Sequence, residues 1–86
     1  MGVMPIAVNV QGDYGYKIVT IEPQKSIEEL VEIAVKAVEG ILVPEFEKGT
    51  EFTAKVHGRE EFLDLAMTLE EAKLLEMEAV DIEVKK

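Results

Sequence analysis

The apolar positions of this chain change period at Ser26. Before it, Ile6, Val8 and Val10 alternate with Ala7, Asn9 and Gln11, the period of two that sends successive side chains to opposite faces of a half-buried strand. The stretch "QGDYGYK" breaks the alternation with two glycines around Asp13 and Tyr14. It reads as a turn, and the β-rich "YKIVTIE" behind it is placed to pair back as the second arm of a hairpin that Pro23 ends. From Ser26 the spacing becomes three and four. Ile27, Leu30, Val31, Ala34, Val38 and Ile41 fall on one side and Glu28, Glu29, Glu32, Lys36 and Glu39 on the other, which predicts an amphipathic helix. "SIEE" is a capping box: the Ser26 hydroxyl and the Glu29 carboxylate each satisfy a backbone N–H that the helix leaves without a partner. Gly40 supplies a left-handed stop.

After the helix, "VPEFEKGT" is a connector bounded by Pro44 and Gly49, and "TEFTAKV" alternates again, with Phe52, Ala54 and Val56 on one face of a third strand. His57 and Gly58 end it. "REEFLDLAM" fits either one or two helical turns or an apolar loop, and periodicity does not choose between them. "TLEEAKLLE" repeats the capping-box spacing in Thr68 and Glu71, which predicts a short second helix of about two turns. Val80, Ile82 and Val84 then alternate with Asp81, Glu83 and Lys85 as a closing strand. The predicted fold is a two-layer α+β domain spanning residues 1–86. A sheet of about four strands is packed by one main helix, with the short second helix before the last strand.

This order of elements resembles the ubiquitin-like β-grasp fold, in which a hairpin leads into one long helix and a short helical turn precedes the final strand. "MTLEEAKLLEMEAVDIEV" is similar to that family's closing segment, and also to the small β-grasp subunit of bacterial multicomponent monooxygenases. The resemblance implies an interaction or scaffold module. Ubiquitin-like modifiers and sulfur carriers end in Gly-Gly, whereas this chain ends in Val84, Lys85 and Lys86, so it does not imply conjugation or thiocarboxylate chemistry. In length, lack of Cys and abundance of Glu and Val, the chain also resembles small uncharacterised acidic α+β proteins of methanogenic archaea. That second resemblance implies calcium binding without selecting ligands.

Composition narrows the function classes. A chain of 86 residues buries only about 60 to 65% of its unfolded surface and supports one core. Without Cys, neither disulfides nor thiolate zinc sites contribute. The start, "MGVMPIAVNV", lacks a basic leading region, and no apolar run approaches the roughly 20 residues that span a bilayer, so a soluble, cytoplasmic protein is expected. The 18 acidic residues against 9 basic ones argue against nucleic acid and anionic membranes as partners. They favour basic proteins or divalent cations.

The acidic residues concentrate late in the chain. Between Arg59 and Glu83 lie Glu60, Glu61, Asp64, Glu70, Glu71, Glu76, Glu78, Asp81 and Glu83, opposed only by Arg59 and Lys73. Asp81 and Glu83, facing outward two residues apart on a strand, stand about 7 Å from each other. Glu76 and Glu78 in the preceding connection, with Glu60, Glu61 and Asp64, then offer a partial oxygen shell for Ca²⁺, which takes six to eight oxygens at about 2.4 Å. No EF-hand spacing is present, so the expected binding is weak. The plain alternative is a solvated acidic face. Glu45, Glu47 and Glu51 form a second acidic group, with Lys48 inside it.

Other candidates reduce to structure. His57 is the only histidine and cannot build a zinc site alone, though beside Glu60 or Glu61 it offers a base or a pH-sensitive contact. Ser26 is explained as a cap, and "QGDYG" lacks phosphate-loop spacing. Paired carboxylates do acid–base work only in a partly dry cleft, so no enzyme is expected. Phe46 beside Pro44, with Met77, suggests an apolar contact rimmed by charge. Two readings result: weak Ca²⁺ binding through Glu60, Glu61, Asp64, Glu76, Glu78, Asp81 and Glu83, or a β-grasp module that meets a basic protein partner through the same surface.

Overall fold

Each alternating run folds as a strand in the computed structural model, which describes residues 2–85. The elements are β1 (Met4–Val10), β2 (Lys17–Ile21), α1 (Ile27–Val38), β3 (Phe52–Val56) and β4 (Ala79–Val84). Met1 and Lys86, which belong to the sequence readings of the two ends, lie outside the described residues. The sheet runs β2-β1-β4-β3. Its central pair, β1 and β4, is parallel, and the two outer pairs are antiparallel. Such a mixed sheet with one covering helix is the two-layer α+β fold predicted.

The register aligns the apolar rows. Val8 stands opposite Val80 and Val10 opposite Ile82, while Ala54 and Val56 face the same two β4 residues from the other side. All six are buried, and α1 closes the layer with Ile27, Leu30, Val31, Ala34, Val35 and Val38. Burial of such side chains, at roughly 1.5–3 kcal/mol each, is the main term holding a domain of this size together.

The helix ends earlier than its apolar pattern. Gly40 adopts φ +75°, where a Cβ would be strained, and the chain turns back so that Leu42 and Val43 both donate to the Val38 carbonyl. Ile41 is therefore carried out of the predicted stripe and is 78% exposed, and Val43 takes its place in the core. At the other end, Ser26 caps α1 by accepting the Glu29 N–H at 3.1 Å. The Glu29 carboxylate comes to the Ser26 hydroxyl, not to its backbone N–H.

The long connection from β3 to β4 is a loop shaped by the helix it covers. The N–H groups of Ile27 and Glu28, which the first turn of any helix leaves unsatisfied, donate to the carbonyls of Met67 and Leu65. "REEFLDLAM" is thus the loop of the two alternatives. The second capping box forms in full, Thr68 N–H to the Glu71 carboxylate at 2.9 Å and Glu71 N–H to the Thr68 hydroxyl at 3.0 Å. It closes a single turn, where two were predicted, before Lys73 reverses at φ +60°. The reason lies in two leucines. Leu69 and Leu74 are both buried, and five residues of continuous helix would set them about 140° apart, so the chain leaves the helix to bring both inward. No helix among the described residues is long and apolar enough to cross a membrane.

Candidate functional site

The alternation that buries one side of each strand turns Asn9, Ile18, Lys55, His57 and Asp81 to the face that α1 does not cover. Tyr16, one step before β2, reaches across β1 and donates its hydroxyl proton to Asp81 Oδ1 at 2.6 Å. His57 Nδ1 stands 3.0 Å from Asp81 Oδ2 and 3.0 Å from the Tyr16 oxygen, and the Tyr16 and His57 rings meet edge to face. Because the tyrosine proton is committed to Asp81, the proton between His57 and Asp81 sits on Nδ1. Nε2 is left for water or a partner.

The charges of this cluster are coupled. The hydrogen bond to Asp81 is the main reason the Tyr16 phenol is pushed up to about 12, with partial desolvation and the Asp81 charge adding to it. For Asp81, desolvation raises the carboxyl, but the donated hydrogen bonds from Tyr16 and His57 and the positive charges of His57 and Lys55 outweigh it, leaving the pKa below 3.8. The sequence sets Tyr16 where the turn passes into the second strand and offers His57 a contact with Glu60 or Glu61, whereas the fold gives it Asp81 and Tyr16. Their meeting depends on β1 lying between β2 and β4, a pairing order that no local pattern carries.

The seven predicted metal ligands are distributed around this geometry. Asp81 and Glu83 share a face of β4 as expected, but Asp81 is engaged by Tyr16 and His57, while Glu83 lies opposite Thr53 towards the far end of the strand. The Asp64 carboxylate accepts the Ala66 N–H at 2.9 Å, a local turn contact. Glu60 and Glu61 leave β3, and Glu76 and Glu78 approach β4, at the same end of the sheet, since His57 N–H donates to the Ala79 carbonyl. Even so, among the described residues no three His, Cys, Asp or Glu side chains are grouped so as to hold a metal ion. Phe46 and Met77 are likewise apart. Phe46 packs edge to face on Phe52 at 5.0 Å, beside the end of β4, whereas Met77 donates to Pro5 at its beginning.

On the helical side of the domain, the exposed flank of α1 and the 44–51 loop enclose a cleft of about 810 Å³. Its floor is apolar, formed by Val31, Val35, Phe46, Phe52 and Leu65. Six glutamates rim it, Glu28, Glu32, Glu39, Glu45, Glu47 and Glu51, with Lys36, Lys48 and Lys85. Glu39 anchors the loop by accepting the Phe46 N–H at 2.8 Å. The predicted second acidic group, Glu45, Glu47 and Glu51, is part of this rim.

Similarity to known proteins agrees with this architecture. No curated protein matches the sequence. Among solved structures, a chain of a complex described as toluene 4 monooxygenase HD with the inhibitor 4-bromobenzoate superposes with a TM-score of 0.88 at 18% identity, covering 96% of this chain and 99% of that one. The ubiquitin of Caldiarchaeum subterraneum gives 0.72 at 14% identity, with 99% and 96% covered. The ubiquitin-like domain of Plasmodium falciparum Dsk2 gives 0.71 at 16% identity, with 96% and 99% covered. These likenesses establish the ubiquitin-like β-grasp fold, and none supports the resemblance to acidic archaeal proteins. Residues 3–84 match the family described as Toluene-4-monooxygenase system protein B. With nearly its whole length inside that match, this chain belongs to the TmoB family.

Proposed function

We propose that this chain is a non-catalytic β-grasp subunit of a multicomponent monooxygenase system, working by association with a larger protein of that system. The observation that carries the reading is the family match over residues 3–84, which takes in every strand and the helix. Two features support it. The cleft beside α1 presents an apolar floor of Val31, Val35, Phe46, Phe52 and Leu65 inside a rim of charged side chains, a mixture suited to a protein contact. The net charge of −9 selects a partner surface rich in Lys and Arg. Of the two readings drawn from the sequence, this is the interaction module.

Affinity purification of the tagged chain from its native cells, followed by size-exclusion chromatography with light scattering and mass spectrometry, tests the proposal. A stoichiometric complex with another subunit of a monooxygenase system is expected. Elution as a free monomer across the concentration range, with no such subunit, would overturn it.

A further inference from the structure

We infer that the cleft between α1 and the 44–51 loop is the docking site for a Lys- or Arg-rich segment of the partner protein, one apolar side chain of which seats against Phe46 and Phe52. The inference rests on the reading that the chain works by association, and specifies where and with what chemistry.

The shape defines the kind of ligand. From Glu28 to Glu39 the helical wall runs about 16 Å, at 1.5 Å per residue, which matches about five residues of extended chain at 3.3 Å each. Phe46 and Phe52 are only partly buried, so the edge-to-face pair presents ring surface to the cleft, a seat for an aromatic or aliphatic side chain. Glycine spacing and capping do not account for this floor. An apolar surface flanked by charge is the arrangement of an interface core within a polar rim.

The charge defines the occupant. Six carboxylates against three ammonium groups leave the rim with a negative surplus, and of its lysines Lys85 is the one paired among the described residues, 4.0 Å from Glu51. A second copy of this chain, carrying −9 itself, is repelled, as are nucleic acid and anionic lipid. A metal ion is not favoured either, because the rim carboxylates do not gather into a group of three. A cationic polypeptide satisfies both features together: its side chains meet the glutamates along α1 and the loop while its apolar residue covers the floor.

The test uses the complex purified from native cells and a carbodiimide, which joins a carboxylate to a lysine only where the two touch. Three chains are compared: the unaltered protein, Glu47→Lys on the exposed loop, and Ile18→Asp on the opposite sheet face, each checked for folding by circular dichroism. Crosslinks from Glu32, Glu45 or Glu47 to partner lysines are expected, with binding weakened about tenfold or more by Glu47→Lys and far less by Ile18→Asp. A complex whose crosslinks fall on the sheet face, or whose affinity is indifferent to Glu47→Lys, would overturn the inference and leave the proposed function standing. Absence of any complex would overturn both.

Discussion

Leu69 sits in an irregular loop, yet it is completely buried, and that combination sets the cost of shortening it. Leu69→Ala removes three carbon groups from the core, about 2.4 kcal/mol at roughly 0.8 kcal/mol each, and leaves a cavity that adds about 24 cal/mol for every Å³ not refilled. The single turn carrying Leu69 is held by backbone hydrogen bonds to Lys25 and Pro23 but has no helix or strand continuing on either side, so it can settle inward. Leu30 has the same side chain and the same complete burial, but it is fixed in the second turn of α1 and cannot follow. We therefore expect about 3 kcal/mol for Leu69→Ala and about 1 kcal/mol more for Leu30→Ala, within the 2–5 kcal/mol range of buried leucines. Urea denaturation followed by far-ultraviolet circular dichroism reads both, since a slope near 1 kcal/mol per molar for so small a domain turns 3 kcal/mol into a midpoint shift of about 3 M. A Leu69→Ala cost below about 1 kcal/mol would mean that the loop is not part of the core. A cost exceeding that of Leu30→Ala would refute the argument from collapse.

The other predictions concern charge and backbone. Because the folded Asp81 carboxyl lies below its ordinary value of 3.8, the stability it contributes is complete above that pH and is lost as the pH falls further; urea midpoints measured from pH 7 to pH 2 should drop more steeply for the parent than for Asp81→Asn, and parallel curves would contradict the hydrogen-bonded cluster. Gly40→Ala places a Cβ at φ +75° and 3.5 Å from the Glu45 side chain, and should cost about 1–2 kcal/mol by thermal denaturation, whereas no measurable loss would mean that the turn after α1 is free to rearrange. Titration with CaCl₂, followed by backbone amide resonances against MgCl₂ at matched ionic strength, should give small, uniform shifts; saturable shifts confined to residues 59–83 would instead support a cation site there.

How much of this was legible in the sequence depends on the range over which the causes act. Strand parity and helix period are local, and Ile6, Val8, Val10, Leu30, Val31, Ala34, Val80 and Ile82 are buried as the patterns require. Gly40 ends α1 in the left-handed turn expected of it, and only Ile41, which continues the apolar spacing past that turn, falls outside the core. The second helix shrank to one turn because Leu69 and Leu74 are both drawn into a core that lies outside their own segment. The Tyr16–Asp81–His57 cluster was out of reach altogether. Tyr16 stands 65 residues and His57 24 residues from Asp81, and the pairings of β2 with β1, β1 with β4 and β4 with β3 together bring the three side chains to one place.

The density of acid along the chain and its accumulation in space are different quantities here. Residues 59–83 hold the longest excess of carboxylates, but the fold uses several of them where they stand: Asp64 closes a turn on Ala66, Glu71 caps Thr68, and Asp81 binds Tyr16 and His57. The glutamates between Glu28 and Glu51 are interspersed with lysine and look unremarkable in sequence, yet helix and loop fold them around one apolar floor. Charge that serves a backbone cap or a tyrosine is already partly neutralised and has little left to offer a partner. In the cleft rim Glu39 and Glu51 are engaged likewise, by the Phe46 N–H and by Lys85, which leaves Glu28, Glu32, Glu45 and Glu47 around the partly buried phenylalanine pair. The surface proposed for a cationic partner is therefore set by where Phe46 and Phe52 come to rest more than by where the acidic residues are most frequent, and it falls on the side of the molecule opposite the open sheet face.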